Sequence, residues 1–176
     1  MRTDIVLTLT GADRVGIVEE VTKVVLDLSG NVETSRMARL GGVFAVLMLV
    51  SFDGRRAGAL ESALEDLASR GYTVTASQTQ EAVHVQTRPG WRTYRIEIDG
   101  ADHEGIIHQI ASGLSELGIS IESMDTSVSP ASMSGTLLFS MRAEVIVPPK
   151  VDEATWIGAI DDAGKHSQVD VRVTPV

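Results

Sequence analysis

Thr10 to Val21 reads TGADRVGIVEEV, and Asp99 to Ile110 reads DGADHEGIIHQI. Both stretches contain Gly-Ala-Asp-x-x-Gly followed by two branched apolar residues. Gly11 matches Gly100, Asp13 matches Asp102, Gly16 matches Gly105 and Ile17 matches Ile106, all at one offset of 89. A turn of this composition hands a strand over to a helix, whose first backbone N–H groups have no internal partner. An aspartate can satisfy them as a cap. The same amides can take a carboxylate from outside, helped by the helix dipole, with Gly16 and Gly105 leaving room for a small ligand or another backbone. Spacing alone favours the capping reading of Asp13 and Asp102.

Other chemistry finds less support. There is no Cys, so disulfides, thiolate metal sites and Cys nucleophiles are excluded. His103 and His108 lie near Asp102 and Glu104, but five residues apart they share a helix face poorly, and no compact metal-ligand set forms. Ser112, Ser115 and the serines of SPASMSG lack a nucleophile-elbow context. Neither a dinucleotide fingerprint nor a phosphate-loop pattern is present. No catalytic residue, metal or cofactor is expected.

The elements that would position the repeated loop follow from periodicity. Ile5, Leu7 and Leu9 alternate with Asp4, Val6 and Thr8, as in a strand. Ile17, Val18, Val21, Val24, Val25 and Leu28 line one helix face, and Gly30 is a stop signal. A mostly polar strand (NVETSRMARL) turns at Gly41-Gly42 into the apolar strand VFAVLMLVS. A helix over 55–70 and a strand over 72–79 complete the order β-α-β-β-α-β. The second half repeats it. Tyr94, Ile96 and Ile98 alternate, and Ile106, Ile107, Ile110, Leu114 and Leu117 form a helix face. Strands follow over 119–128 and 135–147, separated by a turn over 129–134, then a helix over 151–163 and a strand over 168–174. The expected class is α+β, two ferredoxin-like βαββαβ sandwiches in tandem, with antiparallel sheets and helices on one face. The domains are 1–80 and 91–176, joined by a linker at 81–90.

The two sheets differ in the free face they predict. Ser140, Arg142 and Glu144 alternate with apolar residues, a wet outer face. Val43 to Val50 is apolar on both faces, which predicts cover by the other domain or by another chain. Arg36 and Arg39 sit on the polar second strand, either as charges protecting an edge or as part of a partner-binding edge. Arg55-Arg56 and Lys165-His166 read as solvated turns.

Composition bounds the function. With 43% hydrophobic and 22% charged residues the chain is globular, and with 4% aromatics its cores are aliphatic. A net charge of −9 argues against direct nucleic-acid binding. The N-terminal stretch has no signal-peptide pattern, and the longest apolar run is too short to span a membrane. A cytoplasmic location is expected.

Asp-Arg-x-Gly-Ile-Val at 13–18, Gly-Asn-Val-Glu-x-Ser-Arg-Met at 30–37 and Leu-Gly-Gly-x-Phe-Ala-Val at 40–46 resemble an ACT domain. Asp-x-x-Gly-Ile-Ile at 102–107, Ile119-Ser120-Ile121-Glu122 and Ser134 to Met141 are similar to the same family. The ordered set resembles the tandem-ACT proteins of glycine cleavage system transcriptional repressor type. The resemblance implies a small amino acid bound where the first loop of one unit meets the second-strand region of a neighbour. The implied positions are Asp13, Arg14, Val15, Gly16 and Ile17 with Gly30, Asn31 and Val32. In the second unit they are Asp102, His103, Glu104, Gly105 and Ile106 with Ile119 and Ser120. Loop amides would take the ligand carboxylate, and the Asn31 side-chain oxygen its ammonium. Where the family often has Pro before the loop glycine, this chain has Val15 and Glu104. Glu104 would compete for the amides, so the first loop is the better site.

The function so implied is a non-catalytic sensor of a glycine- or serine-class amino acid. It would regulate transcription through a DNA-binding protein partner, as a homo-oligomer without direct nucleic-acid or membrane contact. The alternatives are a structural dimerisation module with silent sites and a regulatory fragment related to formyltetrahydrofolate deformylase, for whose catalytic domain the chain leaves no room.

Overall fold

A computed structural model describes residues 2–53, 57–79, 88–132 and 135–176. The chain divides into two compact units, Met1–Thr87 and Arg88–Val176. The first contains β1 (Arg2–Ala12), α1 (Ile17–Asp27), β2 (Asn31–Leu40), β3 (Val43–Asp53), α2 (Ala57–Ser69) and β4 (Thr73–Thr79). The second contains β5 (Arg92–Ala101), α3 (Ile106–Glu116), β6 (Ser120–Pro130), β7 (Leu137–Val147), α4 (Glu153–His166) and β8 (Val169–Pro175). Each is a four-stranded sheet, ordered β2-β3-β1-β4 and β6-β7-β5-β8, with every neighbouring pair antiparallel. These are the two α+β ferredoxin-like sandwiches expected from the periodicity.

In the first unit Ile5 lies opposite Val50, Leu7 opposite Met48 and Leu9 opposite Val46. All six are buried, together with Ile17, Val21 and Val25 of α1 and Leu60, Leu64 and Leu67 of α2. Successive strand residues point to opposite faces, so one sheet face meets both helices while Val6, Thr8, Leu47 and Leu49 point away. The second unit follows the same plan, with Tyr94, Ile96 and Ile98 opposite Val145, Ala143 and Met141. Trp156 of α4 is fully buried there, edge-on to Tyr94 with ring centroids 5.1 Å apart.

Some local signals act differently from the sequence reading. At the end of α1 the left-handed residue is Ser29, with φ 54°, and the Gly30 amide donates to the Val25 carbonyl at 2.8 Å. Gly30 is needed for space, because a Cβ there would lie 2.3 Å from the Phe52 ring. Gly11 is similar: its Cβ would lie 2.3 Å from Tyr72, and one on Gly100 would lie 2.7 Å from Val169. Asp152 caps α4 by accepting from the Thr155 amide at 2.9 Å. Lys165 pairs with Asp161 at 2.7 Å one turn back. Lys165 and His166 therefore form the last turn of a helix, not a solvated loop. Strand β6 runs to Pro130, into the turn expected at 129–134, of which 133–134 lie outside the described residues. Arg55-Arg56 and 81–87 of the expected linker also lie outside them. Arg88 to Trp91 forms a turn, closed by the Trp91 amide donating to the Arg88 carbonyl at 3.0 Å.

Gly30→Ala should destabilise the protein by about 1–3 kcal/mol through overpacking. Leu26→Ala, 71% exposed on the adjoining helix, should change stability by less than about 0.5 kcal/mol. Denaturant unfolding followed by far-UV circular dichroism would check both.

Candidate ligand-binding site

The β1–α1 loop is held at its base by the Asp13 amide, which donates to the Gly42 carbonyl at 2.9 Å. The Asp13 carboxylate does not cap α1. It forms an ion pair with Arg39 Nε at 2.7 Å, at the far end of β2. The N-cap of α1 is Gly16, left-handed at φ 92°, and no side chain caps the helix. The first amide bonded to a carbonyl is that of Glu20, which donates to Gly16 at 3.0 Å. The donors of the first turn are thus left for water or an anion. Val15 is fully exposed at the loop tip, and nothing lies within 4 Å of where a Gly16 Cβ would stand.

A latch ties this loop to the end of the sheet. Arg14 Nε donates to the Tyr72 hydroxyl at 2.6 Å, and its Nη2 donates to Glu20. The Arg14 guanidinium also lies over the Tyr72 ring, 5.5 Å from its centroid. Hydrogen bonding from Arg14, with the nearby Arg70 adding to it, holds the Glu20 carboxyl below the ordinary carboxylate range. Arg14 is therefore turned inward along the protein, away from the loop tip.

The remaining expected residues lie elsewhere. Gly30 precedes β2 and Asn31 and Val32 begin it, whereas Arg39 beside Asp13 is near its end. Eight residues of strand separate them by about 26 Å. The structure does not bring the loop and the strand start together within one unit. At the strand start, Asn31 Nδ2 donates to Glu33 Oε1 at 2.9 Å, and Ser51 Oγ donates to the same oxygen at 2.6 Å. Glu33 sits at a bulge, where the β2–β3 register shifts between Val32 and Thr34. Asn31 lies opposite Ser51, and Gly30, Asn31 and Val32 line a shallow concavity of about 640 Å³ with Thr22 and Leu26 of α1.

The second unit keeps the geometry and changes the chemistry. Gly105 is the N-cap of α3 at φ 94°, again without a side-chain cap, and the Asp102 amide donates to the Leu137 carbonyl at 2.9 Å. Glu104 is exposed. Ser120 Oγ donates to Glu122 at 3.2 Å, and Glu122 marks the matching bulge, but Ile146 stands opposite Ser120 where Ser51 stands opposite Asn31. Ile119, the counterpart of Gly30, is buried. His103 replaces Arg14 in the latch: Nε2 reaches the buried Ser167 carbonyl at 2.5 Å and Nδ1 the Glu104 carbonyl at 3.0 Å. Ser167 Oγ donates to Gln109, the counterpart of Glu20. Among the described residues no group of three or more His, Cys, Asp or Glu residues is placed to hold a metal ion.

Sequence reasoning placed Arg39 on the polar edge strand without its Asp13 partner, and missed the roles of Tyr72, Glu33 and Ser51. Glu33 and Glu122 share the offset of 89 and could have been noticed. Tyr72 and Ser51 carry no local signal, since each matters only through a partner 18 or more positions away.

Two repeated βαββαβ units, each with an uncapped first loop, define a class of small tandem α+β modules, and residues 3–74 match the ACT domain. The first unit is thus similar to the ACT domain, and the second repeats its element order and strand order. The glycine cleavage system transcriptional repressors of Escherichia coli (strain K12) and Shigella flexneri are each 42% identical over 60 residues, 34% of this chain and 32% of theirs. The match therefore spans about a third of these relatives. A solved structure of an unknown protein from Galdieria sulphuraria has a TM-score of 0.88 at 31% identity, covering 100% of this chain and 99% of that one. A candidate glycine cleavage system transcriptional repressor has a TM-score of 0.72 at 20% identity, covering 100% and 98%, a likeness of fold.

The His103 contacts carry a pH signature. Both acceptors are carbonyls, so holding both requires both ring N–H groups, the imidazolium form. The Ser167 bond first, then the Glu104 bond, raise the His103 pKa above its ordinary 6.5. A raised histidine adds stability that is complete below 6.5 and is lost as pH rises through the folded value. Both tryptophans, Trp91 and Trp156, lie in the second unit. Melts followed by tryptophan fluorescence should show the wild type losing its advantage over His103→Ala as pH is raised from 6 through the folded pKa.

Proposed function

We propose that this protein is a non-catalytic regulator that binds a small amino acid of the glycine or serine class between ACT units. It acts on transcription, in the manner named for its glycine cleavage relatives, through contact with a protein partner. The two domains are 1–80 and 91–176, joined by 81–90, and the protein works in the cytoplasm. No helix among the described residues is long and apolar enough to cross a membrane.

The observation that carries this reading is the uncapped start of α1. Asp13, the residue placed to cap it, is held by Arg39, and Gly16 supplies no side chain. Amides at a helix N-terminus favour a carboxylate. The Asn31 amide nitrogen is engaged with Glu33, which orients the side-chain oxygen for an ammonium group. Because these two parts stand at opposite ends of one unit, a ligand using both bridges the loop of one unit and the strand start of another. Ligand held that way favours one arrangement of units, and a partner that prefers that arrangement reads the signal.

The second unit is the poorer site. Glu104 places a carboxylate beside the α3 amides, and Ile119 and Ile146 stand where the first unit has Gly30 and Ser51.

Calorimetric titration against the common amino acids, preceded by a thermal-shift screen, tests the proposal. At about 100 times the dissociation constant a ligand should add roughly 2.7 kcal/mol of stability. Asn31→Ala should weaken binding by about tenfold, the loss of one charge-assisted hydrogen bond, and Ser120→Ala by much less. No response to any amino acid would sink the sensor reading, and equal losses at the two positions would sink the ranking of the sites.

A further inference from the structure

The two sheets present opposite surfaces on the faces that carry no helices. In the first unit the outward residues of the central strands are Val6, Ala45, Leu47 and Leu49, and the row ends at Val43 and Leu40. Leu47 and Val43 are 48% exposed and Leu40 75%. The neighbours sharing this face from Val43 to Leu49 are threonines, a serine, alanines and one charge, Arg36, on the edge strand. Thr8 and Thr75 hydrogen-bond each other through their hydroxyls. In a chain of net charge −9, that stretch of the face bears no carboxylate.

In the second unit the matching positions hold charges. Phe44 corresponds to Phe139, so Leu47 corresponds to Arg142 and Leu49 to Glu144. Arg142 pairs with Glu97 at 3.3 Å, and Arg95 with Glu144 at 3.3 Å. The sandwich does not require an apolar outer face, since the sister unit folds with a charged one.

A cover for the first face must be apolar and free of carboxylates. The charged face of the second unit does not qualify, because covering it would desolvate Glu97, Arg142 and Glu144. The same face on another copy does qualify, and a twofold contact places a patch against itself. Arg36 then falls at the rim. Four strands about 4.8 Å apart, over about seven residues, give roughly 450 Å² per copy. That is about 900 Å² in total, below the range of stable complexes.

We propose that the outward face of the first sheet is a weak homodimer interface, closed face to face around Leu47 and Leu49. The contact forms at high protein concentration and is independent of amino-acid binding at the loops.

Sedimentation velocity of the full chain over a concentration series, at about 0.15 and about 1 M salt, tests this. The wild type should dimerise as concentration rises, and more readily at high salt, where repulsion between acidic copies is screened. Leu47→Arg places at position 47 the residue type its sister unit carries at 142 and brings the net charge nearer zero. It should weaken association at least about tenfold, since Leu47 enters a twofold contact twice. Leu47→Thr, the milder change, should weaken it by a smaller factor, and Arg142→Ala should leave it unchanged. Circular dichroism melts identify any variant that has lost its fold. A wild type monomeric throughout, a dimer dissolved by salt, or a dimer indifferent to Leu47→Arg would overturn the proposal. A dimer broken by Met37→Lys on the β2 edge but kept in Leu47→Arg would be edge pairing, and would overturn it too.

Discussion

Leu7 lies opposite Met48 and Ile98 opposite Met141, and the rest of each unit depends on that registration. A strand alternates faces with a period of two, so a slip of one residue would turn every core residue of the central pair to the free side. The helices then seat against the buried row because each carries a matching apolar stripe. Fully burying a large aliphatic side chain is worth roughly 1.5–3 kcal/mol. The central strands supply several in each unit, so the register is well fixed. Gly11 and Gly100 contribute by letting Tyr72 and Val169 lie directly against the strand backbone.

Registration also places the chemistry. Because β1 and β5 end where β3 and β7 begin, each first loop is anchored by a backbone bond to the hairpin end. The left-handed Gly16 and Gly105 then turn the chain sharply into a helix whose first amides face outward. The contrast with α4, capped by Asp152, separates two ways of starting a helix in one protein. One start is closed by its own side chain, and the other is left open at the end of the sheet. The latches beneath the open starts differ, since a guanidinium keeps its charge at every accessible pH and an imidazole does not.

The repeat has diverged on its surfaces while its cores stayed alike. Apolar inward rows persist at the same offsets, whereas Leu47 and Leu49 became Arg142 and Glu144, or the reverse. Inward positions are constrained by close packing. Outward positions are constrained only by what touches them.

The elements, their order, the tandem repeat and the α+β class were legible in the sequence, because periods of 2 and 3.6 record which side of each element is buried. The uncapped first loop was half legible. Gly-Ala-Asp-x-x-Gly announced a strand-to-helix turn, but the capping reading of Asp13 failed because its carboxylate is taken by Arg39, 26 positions away in the chain. Gly30 was legible as a glycine the fold needs, but its reason was not, since that reason is the ring of Phe52. The sequence by itself determined the local periods, the turns and the repeated loop, all consequences of neighbours within one helical turn or one strand. Only the tertiary structure decided which side chains satisfy which and how far Asn31 stands from the loop. Those facts depend on residues that meet only after the chain has folded.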